Sequence, residues 1–164
     1  MVDETAAAYG LFQVSFAWLE QELAAAIYHL RHLDDPKQFD GLLRDRFSDK
    51  IKYFKEELQQ ANLGVDGEEA LARLKELSKW RNERTHARIE IISASGYQFA
   101  LYSKTGHRLE MNPESLRART NEVLTVIHLL NDVARLHRTA TGISKELEEL
   151  LGTFIEPSET TESE

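Results

Sequence analysis

The sequence predicts an all-α bundle of four to five helices with a small β-hairpin or meander inserted between the third and fourth. Three observations carry this expectation. Apolar residues recur at steps of three and four along most of the chain, as in Phe12, Phe16, Leu19, Leu23, Ile27 and Leu30, which is the period of a helix with one buried face. A single region, about residues 88–111, changes texture to short runs rich in β-branched and aromatic residues, "RIEIIS", "YQFALYS" and "HRLEM", separated by "ASG" and "KTG". At 164 residues the chain has the usual length of one domain, long enough to bury a core without covalent staples.

The first helix is expected over about residues 5–32 and to be ended by "DDP" at 34–36, since the residue before a proline is pushed out of the α region. A second helix is expected over 37–62, with Phe39, Leu42, Leu43, Phe47, Ile51, Phe54 and Leu58 as its core face and an interruption near Phe47 and Ser48. "NLGVDGEE" supplies an Asn or Gly to close it and Asp66 as N-cap of a third helix, about 67–87. After the β insertion, "NPESL" restarts a helix with Asn112 as N-cap and Pro113 at the first helical position, running to about 139. This helix carries two apolar faces, Val123, Ile127, Leu130 and Ala134 on one and Val126, Leu129, Val133 and Leu136 on the other. Two apolar faces call for two partners, and a second copy of the chain is the expected second partner, giving a homodimer. Residues 1–142 are read as the helical domain, and 143–164 as an acidic tail, a short helix after Gly142 followed by a disordered "PSETTESE".

The absence of cysteine excludes disulfides, thiol catalysis and thiolate metal sites. With an acidic N-terminus and no apolar run of membrane-spanning length, the chain reads as cytoplasmic. The formal charge of −8 argues against general nucleic-acid binding, yet it is uneven: residues 143–164 hold seven Glu against one Lys, while residues 81–142 hold nine Lys or Arg against six acids. A local basic surface is compatible with this balance, and the acidic tail is compatible with occupying it.

The chemistry concentrates in "LKELSKWRNERTHARIE", residues 74–90. Leu71, Leu74 and Leu77 form an apolar stripe, and Arg81 falls inside the same band, so a permanent charge is expected to continue the buried face and to need a partner. Asn82 and His86 are four apart and stack on one side of the helix, whereas Arg81 and His86 are about 140° apart on a regular helix. Convergence of the two on one atom requires either a kinked helix end or two copies of the helix meeting across a two-fold axis.

An arginine, a polar residue, three variable positions and a histidine, on the helix before the last long one of a small α-bundle, resembles the signature of the HEPN superfamily, with Arg81, Asn82 and His86 as the matching positions. The order of helices extends the resemblance over about residues 5–140; Ala87 stands where similar proteins often have glycine. The resemblance implies a HEPN-like bundle dimerising around the motif and, in many members, a metal-independent endoribonuclease of toxin–antitoxin or phage-defence systems, with an antitoxin or defence-complex partner. RNA brings its own nucleophile, the 2′-OH, so such an enzyme needs proton transfer and charge neutralisation. His86 would take the 2′-OH proton or protonate the leaving 5′-oxygen, Arg81 would hold the non-bridging phosphate oxygens, and Asn82 would orient the imidazole or donate to the phosphate. Arg84 and Arg88 are candidates for binding neighbouring phosphates of the RNA. The superfamily also contains non-catalytic binding and dimerisation modules, which is the alternative reading.

No cofactor and no metal are expected. His29, His32, Asp34 and Asp35 can be drawn as a metal site, but histidines at a helix end and acids in the following turn have a simpler place there. His128 and His137 are read as surface or interface residues, and Trp80 as a core or dimer-contact aromatic in preference to a base-stacking platform.

Overall fold

A computed structural model describes residues 2–93, 98–109 and 111–154. The elements are α1 (Val2–Leu30), α2 (Pro36–Arg44), α3 (Phe47–Ala61), α4 (Gly64–Thr85), β1 (Arg88–Ser93), β2 (Gln98–Tyr102), β3 (Arg108–Leu109) and α5 (Pro113–Phe154). The architecture is an all-α bundle with a small three-stranded antiparallel insertion, in the order β1-β2-β3. Because the second expected helix is two helices, the insertion lies between the fourth and fifth, not the third and fourth.

Contacts between elements set their directions. Glu4 of α1 pairs with Arg117 of α5 at 2.6 Å, and His32 beyond the end of α1 meets His137 at 3.0 Å, so α1 and α5 run side by side in the same direction. Phe16 packs on Phe47 at 4.8 Å and Arg31 pairs with Glu57 at 2.7 Å, which aligns α3 with them as well. Helix α4 returns the other way, placing Trp80 against Phe12 at 4.9 Å. The shared core comprises Phe12, Phe16, Leu19, Leu23 and Ile27 of α1, Phe54 of α3, Leu74 and Leu77 of α4, and Leu116, Val123, Ile127 and Leu130 of α5.

The ends of the elements differ from expectation in instructive ways. Helix α1 stops at Leu30, well before Pro36, through a Schellman closure in which Leu33 N–H donates to the Tyr28 carbonyl at 3.2 Å and His32 N–H to that of His29 at 3.1 Å. His32 takes the left-handed position of this motif, φ 51°, which glycine usually fills and which costs a side-chain-bearing residue about 1 kcal/mol. The "DDP" stretch starts the next helix instead: Asp35 is the N-cap of α2, its carboxylate accepting from Lys37 N–H at 2.9 Å, and Pro36 is the first helical residue.

Between α2 and α3, Asp45 and Arg46 are extended, so the break falls just before Phe47. The buried Lys50 stabilises this break by donating from Nζ to the Leu43 carbonyl at 3.1 Å, one of the orphan acceptors at the end of α2. Burial lowers the Lys50 pKa from the ordinary lysine value, against the raising effect of Glu20 and Asp45.

Asn62 closes α3 in the left-handed conformation, as the sequence signal suggests. Helix α4 begins at Gly64, with Leu63 at its cap, so Asp66 lies inside the first turn and is not the N-cap. A β-carbon on Gly67 would come within 2.5 Å of Leu58 Cδ2, so glycine here permits the close approach of α4 to α3. The turn from β2 to β3 uses Gly106 at φ 84°, the "KTG" signal; the "ASG" turn lies outside the described residues.

Helix α5 opens on Asn112 as expected, its side-chain carbonyl accepting from Ser115 N–H at 2.7 Å. It then passes through Gly142 without a break, so the separate short helix expected there is the continuation of α5 to Phe154. Residues 155–164, which include the whole of the expected disordered "PSETTESE", lie outside the described residues. Helix α5 packs against both α1 and α4, which bury its first apolar face, Val123, Ile127, Leu130 and Ala134, and Val126 and Val133 of the second; of that second face Leu129 is partly buried and Leu136 stays exposed. No helix among the described residues is long and apolar enough to cross a membrane.

Candidate functional site

The core position one turn beyond Leu77 is taken by Trp80, not Arg81. Buried positions on α4 run Gly67, Ala70, Leu74, Leu77 and Trp80, and the drift of a 3.6-residue turn leaves Arg81 at the edge of the stripe, one-third exposed. The expectation of a charge continuing the buried face is therefore corrected: Arg81 flanks the core. Trp80 is the core aromatic.

Arg81 has its partner inside the chain. Its Nη1 donates to Glu20 Oε1 at 3.1 Å, and its guanidinium lies 4.5 Å from the centre of the Phe16 ring. Phe16 and Glu20 are four apart on α1, so one helix face offers both a ring and a carboxylate to the same side chain. Glu20 also acts electrostatically on the buried Lys50, so the carboxylate lies between a cation of α4 and a cation of α3.

Asn82 and His86 face solvent. His86 follows the last residue of α4 as its C-cap, with φ −105° and ψ 13°, and its N–H donates to the Asn82 carbonyl at 3.2 Å. Both side chains are exposed, and among the described residues no side-chain hydrogen bond joins Arg81, Asn82 and His86. Because α4 remains helical through Thr85, whose hydroxyl donates to the Arg81 carbonyl at 2.9 Å, no kink before the histidine brings the two groups together in one chain.

On the other side of α4 lies an open cleft of about 480 Å³ between it and the start of α5, lined by Trp80, Glu83, Arg84, Ser115, Arg119 and Glu122 among others. The Arg84 guanidinium stacks 3.8 Å from the centre of the Trp80 ring and donates to the Trp80 carbonyl at 3.3 Å; that of Arg119 lies 5.7 Å from the same ring and pairs with Glu122. Glu83 and Glu122 temper the positive charge of this cleft. Arg88 opens β1, and its side chain lies outside the described residues.

Glu20, Lys50 and Arg119 are absent from the sequence-derived site. Only the spacing of Phe16 and Glu20 was a local signal, and it does not say which helix will bring the cation. Comparison with known protein families, curated proteins and solved structures finds no match for this chain.

Proposed function

We propose that the protein is a metal-independent endoribonuclease that cleaves RNA through 2′-OH attack, leaving 2′,3′-cyclic phosphate ends, in a toxin–antitoxin or phage-defence setting. The observation that carries this reading is the exposure of Asn82 and His86, one turn apart at the C-terminal end of α4, with the partly exposed Arg81 on the same turn. Histidine accepts or donates protons near neutral pH, and arginine offers a planar fork of donors to a phosphodiester.

Two features of the geometry shape the mechanism. Since Arg81 and His86 point to different sides of a regular helix end, the reading places the complete site across the two-fold axis of a homodimer, with one chain's arginine beside the other's histidine. Two histidines then serve the two proton transfers. Since Arg81 rests on Glu20, the phosphate must take the place of that carboxylate. Both side chains of this pair are about one-third exposed, 33% and 30%, and pairs so solvated are worth at most about 1 kcal/mol, a modest barrier to exchange.

The satisfied arginine supports a second reading, in which Arg81 is structural and the protein is a non-catalytic binding or dimerisation module within a larger complex. Incubation of mixed RNA with the wild type and with His86→Ala in EDTA, followed by analysis of the new 3′ ends, separates the two. The nuclease gives cyclic-phosphate ends that the variant does not make. Absence of cleavage by the wild type, at concentrations where the dimer is demonstrated, favours the module; activity lost to EDTA and restored by a divalent metal overturns the mechanism.

A further inference from the structure

At the end of the bundle remote from His86, two histidines 105 residues apart in sequence face each other, His32 just beyond α1 and His137 on α5, with their Nε2 atoms 3.0 Å apart and ring centres 4.8 Å apart. Arg119 marks the other end of the bundle on α5, and the 18 residues to His137 span about 27 Å of helix. This pair is independent of the proposed ribonuclease site.

The pairing is not the one the sequence suggests. His29, three residues before His32, is the obvious sequence partner, yet the ring facing His32 belongs to α5. His137 is nearly buried, at 8% exposure, while His32 is exposed, so one ligand is anchored and the other is open to water. His32 also holds its place against a conformational preference: at φ 51° glycine would be unstrained, and a strained side chain points to a use for that side chain.

We propose that His32 and His137 form a two-histidine site for a borderline divalent transition-metal ion of the Zn2+, Ni2+ or Cu2+ class, with water in the remaining positions. The separation suits the chemistry. With metal–nitrogen bonds of about 2.05 Å, two nitrogens 3.0 Å apart subtend about 95° at the metal, the angle between adjacent ligands in tetragonal Ni2+ or Cu2+ sites. A tetrahedral Zn2+ needs about 0.3 Å more, which the solvent-exposed His32 ring can supply by a small rotation. Among the described residues no group of three His, Cys, Asp or Glu converges, so these residues contribute two ligands to the site. Bound metal would tie the end of α1 to α5 and thereby stabilise the native state in proportion to occupancy.

Untagged protein stripped with EDTA and then given ZnCl2 or NiCl2 alone tests this by thermal unfolding. The wild type is expected to gain on the order of 5 °C in Tm once free metal exceeds Kd about a hundredfold. His137→Gln and His32→Gly lose the gain, and His29→Gln keeps it. His32→Gly carries the sharpest information, because glycine relieves the left-handed strain: without metal it should be at least as stable as the wild type while failing to respond to metal. A wild type without a metal response overturns the site, as does a response that survives in both His32→Gly and His137→Gln. If His32→Gly is destabilised in EDTA and the wild type ignores metal, the pair is a structural hydrogen bond.

Discussion

Glu20 decides how available Arg81 is, and the balance of forces on that side chain is small. An ion pair at this exposure contributes up to about 1 kcal/mol, and the stacking on Phe16 a further 0.5–1 kcal/mol or so. Glu20→Gln keeps the size and a hydrogen-bond acceptor but removes the competing charge. On the ribonuclease reading this variant should cleave RNA about 3- to 10-fold faster at subsaturating substrate, since about 1 kcal/mol of competition corresponds to roughly a 5-fold change in affinity. The loss in stability, read from the urea midpoint, should stay below about 1 kcal/mol. An unchanged cleavage rate would mean that the carboxylate does not compete with substrate. None of this was legible in "FAWLE" alone: the sequence marks Arg81 as needing a partner, and the partner is 61 residues away.

At the scale of elements, the helical period located every long helix, whereas the boundaries followed from interactions that periodicity does not encode. Asp45–Arg46 contains neither proline nor glycine, yet the chain turns there, because two short helices let Leu42 and Phe47 both reach the core and Lys50 satisfies a carbonyl at the break. Gly142 shows the opposite error, a residue with low helix propensity retained inside a helix, since one glycine costs only about 1 kcal/mol and neighbouring turns can offset it. Gly10 offers a direct test of that propensity in α1. A β-carbon there meets nothing within 4 Å, so Gly10→Ala should raise unfolding stability by about 0.5–1 kcal/mol without altering activity, measured by urea denaturation. A destabilised variant would mean that the exposed face of α1 at Gly10 is covered by another chain.

At the scale of the molecule, packing within the monomer removes much of the reason for a dimer that α5 supplied. Most of the second apolar face of α5 is covered by the monomer's own helices, with Leu129 partly buried and Leu136 left exposed, so that face asks only weakly for another copy. What asks for one is the divergence of Arg81 and His86 on a regular helix end. Sedimentation at micromolar concentration should therefore give twice the 18.8 kDa chain mass, and a lone 18.8 kDa species would remove the composite site. The all-α class, the β insertion after "RTHA" and the capping by Asn112 and Pro113 are legible without a structure, because period and turn chemistry are local properties of the chain; the candidates Arg81, Asn82 and His86 rest on the resemblance of "RNERTH" to a family signature. Tertiary structure alone decided that Trp80 takes the core position, that Glu20 and Phe16 receive Arg81, and that His32 faces His137 instead of His29. Each of those outcomes depends on which helix packs against which, and packing is settled by the joint burial of side chains far apart in sequence.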